Sequence, residues 1–122
     1  MRGVVLLVDT TRTGIVDTEA LRAKGLTIYE TSDVAHAVER LAELVPDVIV
    51  TVLTGDENPS YVSELRRRTD HATSILVLGT SDEQSETARR AGGDAFVPPS
   101  ADLSYEIHRA LILRRSGRRL TW

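Results

Sequence analysis

Pro46-Asp47-Val48-Ile49-Val50-Thr51-Val52-Leu53-Thr54 is the stretch on which the fold turns. It is a run of β-branched and aliphatic residues, closed by Gly55-Asp56 and by Asn58-Pro59. An apolar run this short between breakers reads as a strand buried on both faces, at the middle of a parallel sheet. In open α/β sheets, ligands and chemistry sit just beyond the carboxyl ends of such strands. The last positions here are Thr51, Val52, Leu53 and Thr54, none of which carries a charge. A central strand without a carboxylate at its working end is the main functional clue.

Outward from this run, the chain alternates. On its amino-terminal side, Gly3 to Val8 is an aliphatic strand ending in Asp9, and Leu26–Glu30 is a second, shorter one. Between them Thr10–Thr13 offers N-cap candidates for a helix from about Gly14 to Lys24, ended by Gly25. Thr31-Ser32-Asp33 opens a second helix, on which Val34, Val38, Leu41 and Val45 repeat at helical spacing until Pro46 stops it. On the carboxyl-terminal side, Pro59–Asp70 reads as a third helix with Val62 and Leu65 on its buried stripe, followed by a strand at Ile75–Leu78. Asp82–Ala91 is helix-compatible but offers the core only Ala88 and Ala91, so it is expected to be the loosest helix. Gly92-Gly93 ends it, Ala95-Phe96-Val97 is a fifth strand, and Ala101–Arg115 is a last helix burying Leu103, Ile107, Ala110 and Leu111. Five strands alternating with five helices over short connections imply parallel strands and right-handed crossovers. The expected architecture is a doubly wound, flavodoxin-like five-stranded sheet of order 2-1-3-4-5, with its switch point between the first and third strands.

Composition narrows the function classes. A chain of 122 residues, 41% hydrophobic and 27% charged, fits one domain. The lack of cysteine excludes disulfides, thiolate zinc sites and cysteine nucleophiles. No apolar stretch approaches a membrane span, so the expectation is a cytoplasmic protein with no membrane contact of its own. Arg114, Arg115, Arg118 and Arg119 crowd the last nine residues. Removing those four charges takes the formal net charge from −3 to −7. Such an acidic body argues against direct nucleic-acid binding by this domain, and the basic end reads as a solvated helix terminus. Residues 1–115 therefore read as the domain. Residues 116–122 read as a basic tail or the start of a linker, as in one part of a longer protein.

In this arrangement the chain resembles the receiver domain of two-component response regulators, from residue 3 to about residue 115. The likeness rests on Leu6-Leu7-Val8-Asp9, Thr31-Ser32-Asp33 and Pro46-Asp47-Val48-Ile49-Val50, with Ile75-Leu76-Val77-Leu78 and Ala91-Gly92-Gly93-Asp94-Ala95-Phe96. The resemblance implies an acidic pair after the first strand for magnesium, and a phosphoacceptor aspartate ending the third. It also implies a hydroxyl after the fourth strand and a lysine after the fifth. Carried over, the acidic pair becomes Asp9 and Thr10, and the phosphoacceptor position is Val52. The hydroxyl falls on Gly79, with Thr80 next door, and the lysine on Pro98 or Pro99. The aromatic switch position on the fifth strand is kept as Phe96. Phosphoryl transfer to a side chain needs an in-line nucleophilic oxygen and cations for the developing charge. Valine offers no nucleophile, and proline has neither charge nor donor. A single carboxylate is a poor magnesium site. The resemblance is thus to a pseudo-receiver, not an enzyme, with no cofactor.

Each remaining candidate has a plainer reading. Asp9 is either a residual metal ligand or a strand-end carboxylate accepting backbone or Thr10 hydrogen bonds, and its isolation favours the second. Asp56 lies four residues past the phosphoacceptor position and reads as a turn aspartate. Thr51 and Thr54 have no general base near them in sequence. His36, His71 and His108 show no metal spacing. On the last helix, Tyr105, His108 and Ile112 form a second stripe apart from Leu103, Ile107 and Leu111. With Phe96 they fall on the fourth-helix, fifth-strand, fifth-helix face that receiver domains use to dimerise or dock partners. Scattered exposed apolar groups are the other reading of the same residues. The leading expectation is a phosphorylation-independent module acting through protein contacts or dimerisation. The rivals are a receiver phosphorylated at a non-standard residue and a small-ligand sensor using the vacated crevice of Thr10, Val52, Gly79 and Thr80.

Overall fold

Alternation of buried runs with amphipathic segments builds a five-stranded parallel sheet between two layers of helices. The computed structural model describes residues 2–53, 61–69, 72–79, 82–98 and 101–115. In chain order the elements are β1 (Gly3–Val8), α1 (Thr18–Ala23), β2 (Leu26–Thr31), α2 (Val34–Leu41), β3 (Val48–Leu53), α3 (Tyr61–Arg68), β4 (Ser74–Gly79), α4 (Asp82–Arg90), β5 (Ala95–Val97) and α5 (Leu103–Arg115). The strand order is β2-β1-β3-β4-β5, all neighbours parallel, as the alternation implies. Every residue of β3 and β4 is buried, as a central strand with helices on both faces requires.

Alternate residues feed opposite cores. Val5, Leu7, Val48, Val50 and Val52 pack with Leu21 of α1 and with Ile107, Ala110 and Leu111 of α5. Leu6, Val8, Ile49 and Leu53 pack with Ala37 and Leu41 of α2, Val62 and Leu65 of α3, and Ala88 of α4. At the amino-terminal edge, Arg66 reaches from α3 to the carbonyls of Gly92 (3.1 Å) and Thr73 (3.1 Å) and pairs with Asp94. Asp94 in turn accepts from the Ile75 N–H at 2.8 Å. Gly92 is left-handed (φ 114°), and a β-carbon there would meet Arg66 Cγ at 2.8 Å.

Helix boundaries differ from the expected ones for identifiable reasons. α1 begins at Thr18, not near Gly14, because the Asp17 carboxylate caps it by accepting from the Ala20 N–H at 3.0 Å. Thr13 is instead engaged by Asp9. α2 opens as expected on Asp33, which accepts from the Ala35 N–H, but ends at Leu41. Its buried residues are Ala37 and Leu41; Val45 lies beyond the helix and is 63% exposed. α5 begins at Leu103 and not Ala101, because Asp102 accepts from the Tyr105 N–H. Leu103 is half-buried, at the edge of the core.

Candidate functional site

At the carboxyl edge of the sheet, the register sets Val8 beside Thr51, and sets Val52 and Leu53 beside Leu78 and Gly79. This brings together Asp9, Thr10, Val52 and Gly79 from three adjacent strand ends. Thr80 and Pro99, with Thr54, Asp56, His71 and residues 116–122, lie outside the described residues.

Val52 is fully buried, in the hydrocarbon core with Val50, Leu76 and Leu78. Asp9 is 4% exposed, and its carboxylate accepts three hydrogen bonds from the following loop. The Thr13 N–H donates to Oδ1 at 3.0 Å, and the Thr13 hydroxyl and Gly14 N–H donate to Oδ2 at 2.9 and 3.0 Å. The partners of the Asp9 carboxylate are thus Thr13 and Gly14, and not Thr10. The Thr10 hydroxyl is buried without a hydrogen-bond partner among the described residues, as is that of Thr51. Burial also keeps Thr51 from meeting a phosphodonor in solvent. Among the described residues no three carboxylates or imidazoles converge in a way that could hold a metal ion.

Gly79 is covered, not open. A β-carbon there would lie 2.6 Å from the Leu53 carbonyl oxygen and 3.2 Å from Cε2 of Phe96. The Phe96 ring thus occupies the place a side chain at position 79 would need. Of the crevice expected among Thr10, Val52, Gly79 and Thr80, Val52 lies in the core and Gly79 lies against Phe96, and Thr80 falls outside the described residues. Open space lies on the other side of Asp9, in a cavity of about 360 Å³ lined by Asp9, Arg12, Gly14, Glu30, Thr31 and Ser32. The sequence does not mark Arg12, Glu30 and Ser32 as site residues: the turn of the β1–α1 loop sets Arg12 by Asp9, and the β1–β2 register, Leu7 beside Glu30 and Val8 beside Thr31, brings the other two.

On α5, Tyr105 is 58% and Ile112 49% exposed, with His108 exposed between them. Phe96 is half-buried against the core and lines a groove of about 230 Å³ whose far wall is Ala101, just before α5, with Glu106 and Arg109 of α5. Phe96 therefore adjoins the charged flank of α5, and Tyr105, His108 and Ile112 occupy its outward flank. His36 is exposed, with Nδ1 3.1 Å from the Thr31 hydroxyl.

No family model matches the chain, and no curated protein matches it in sequence. Solved structures do. A CheY-like response regulator receiver domain protein from Methanospirillum hungatei superposes with a TM-score of 0.81 at 15% identity, covering 96% of this chain and 99% of that one. A LuxR-family two-component response regulator from Aurantimonas sp. is 25% identical with a TM-score of 0.71, over 99% of this chain and 90% of that one. A LuxR-family DNA-binding response regulator from Silicibacter pomeroyi is 24% identical with a TM-score of 0.69, over 94% and 93%. The chain thus has the CheY-like receiver fold, the order 2-1-3-4-5 included. Among the described residues no helix is long and apolar enough to cross a membrane.

Proposed function

We propose that this chain is a phosphorylation-independent receiver module of a two-component-type regulatory system, acting through protein contacts and not as an enzyme. The observation that carries the reading is Val52, a hydrocarbon side chain wholly buried at the position where the resemblance calls for a phosphoacceptor carboxylate. Asp9 reinforces it, since both its oxygens are already engaged by Thr13 and Gly14. Magnesium recruits one or two carboxylates and keeps its remaining waters, and recruiting Asp9 would strip the β1–α1 loop of its anchor. The contact surface in this reading is the outward flank of α5, Tyr105, His108 and Ile112, with Phe96 on the neighbouring charged flank. Incubation of the protein with acetyl phosphate and magnesium, followed by intact-mass measurement, is expected to leave the mass unchanged. A stoichiometric phosphoryl adduct at any residue would overturn the reading, and mapping it to Asp56 or Thr54 would install a non-standard acceptor in its place.

A further inference from the structure

The cavity beside Asp9 has features that the protein-contact reading does not use. Arg12 adopts a left-handed backbone conformation (φ 53°) that glycine would hold without strain. Its N–H donates to the Asp9 carbonyl at 3.1 Å, and its Nε donates to the Ser32 hydroxyl at 3.1 Å. The guanidinium is thereby carried across from the β1–α1 loop to the end of β2. Glu30 lines the same cavity, yet no ion pair joins it to Arg12 among the described residues. Opposite charges held apart around one cavity are complementary to a ligand that bears both. Asp9 keeps its negative charge, but both its oxygens already accept from donors of its own loop, which leaves Glu30 as the lining carboxylate turned to a ligand's donor. A bare anion would face Glu30 and a bare cation would face Arg12, so a molecule of one sign gains less than one carrying the pair. A volume of about 360 Å³ falls at the small end of the range for small-molecule sites, roughly 300–1,000 Å³. The cavity lies at the carboxyl ends of two parallel strands, next to the β1–β3 switch point and not in it.

We propose that this cavity binds a small zwitterion of the α-amino-acid type, its carboxylate on the forked guanidinium of Arg12 and its ammonium on Glu30. The proposal is separate from the question of phosphorylation, and either can fail alone. It is tested on the full chain by amide NMR, titrating the common amino acids one at a time to about 10 mM, with acetate and methylammonium as single-charge controls. At least one amino acid is expected to give saturable shifts centred on residues 9–14 and 30–33, and both controls are expected to be weaker. Arg12→Gly relieves the backbone strain while deleting the cation, so it should fold at least as stably and bind roughly tenfold more weakly. Glu30→Gln should weaken binding in the same way. No saturable shift with any amino acid, equal binding of acetate, or unchanged affinity in both variants would each overturn the proposal.

Discussion

A β-carbon at position 79 would sit 2.6 Å from the Leu53 carbonyl oxygen and 3.2 Å from the Phe96 ring, so the glycine there answers to space and not to backbone angle. Gly79→Ala is expected to cost about 1–3 kcal/mol through overpacking, read as a lower urea midpoint at unchanged slope. Gly79→Thr should cost more, because it adds volume where the ring already lies. Val52 poses the complementary problem. Restoring the acid that the resemblance expects, by Val52→Asp, places a carboxyl among Val50, Leu76 and Leu78, in an apolar cluster of the described residues. A buried carboxylate in hydrocarbon is penalised whether it ionises or takes up a proton. The variant is therefore expected to lose about 3 kcal/mol or more and still to gain no mass with acetyl phosphate and magnesium. Efficient phosphorylation of that single variant would show that one side chain was all the pocket lacked. That a valine stands where the resemblance expects the acid follows from the sequence alone, by counting six residues past Pro46. The cover over Gly79 does not, because it depends on the register Leu53–Gly79 and Val77–Phe96 between strands.

Among the elements, strands were read well and helix ends poorly, for one physical reason. β3 and β4 bury both faces, so composition alone marks them, and β5 matches Ala95–Val97 as read. Helix ends are set by which of several nearby polar side chains does the capping. Asp17 and Asp102 cap α1 and α5, and Thr13 is taken by Asp9. α4 behaves as its composition implies, with Ala88 its one buried residue. Its surface is tied instead by Glu86, which accepts from Arg89 Nη2 at 2.9 Å and Arg90 Nε at 3.1 Å. The Arg89 hydrogen bond, helped by the nearby charges of Arg89 and Arg90, pulls the Glu86 carboxyl below its ordinary pKa against the opposing effect of desolvation. Because the folded value is the lower one, this support is present above the ordinary carboxylate pKa and is lost as pH falls through the folded value. Hydrogen exchange should therefore show α4 amides opening before those of β3 and β4, and earlier still in acid or in Glu86→Gln. Exchange in α4 as slow as in the central strands would contradict this ordering.

At the scale of the whole molecule, α5 carries apolar side chains on two sides. Ile107, Ala110 and Leu111 face the sheet, whereas Tyr105 and Ile112 stand half or more exposed with His108 between them. A helix bordered by solvent ordinarily keeps its apolar residues on the core side, so the second flank has a cost in hydration that a partner surface would remove. The acidic character of the body makes self-association the harder case, because two copies of net negative charge repel at low ionic strength. Self-association through this flank should therefore strengthen with added salt, opposite to a contact built on ion pairs. Replacing Tyr105 and Ile112 together by serine removes the apolar area without touching the core, and the melting temperature should move little, since exposed positions usually shift stability by no more than about 0.5 kcal/mol each. In sedimentation equilibrium at about 100 μM the unaltered chain is expected to show a dimer fraction that rises with salt, and the double variant to stay monomeric. A partner-dependent protein would instead remain monomeric at every salt concentration in both forms, which would exclude the homodimer and leave the same two side chains to be tested against whichever regulatory protein binds the unaltered chain. Equal association of the unaltered and double-serine chains would remove the α5 flank from the contact surface altogether.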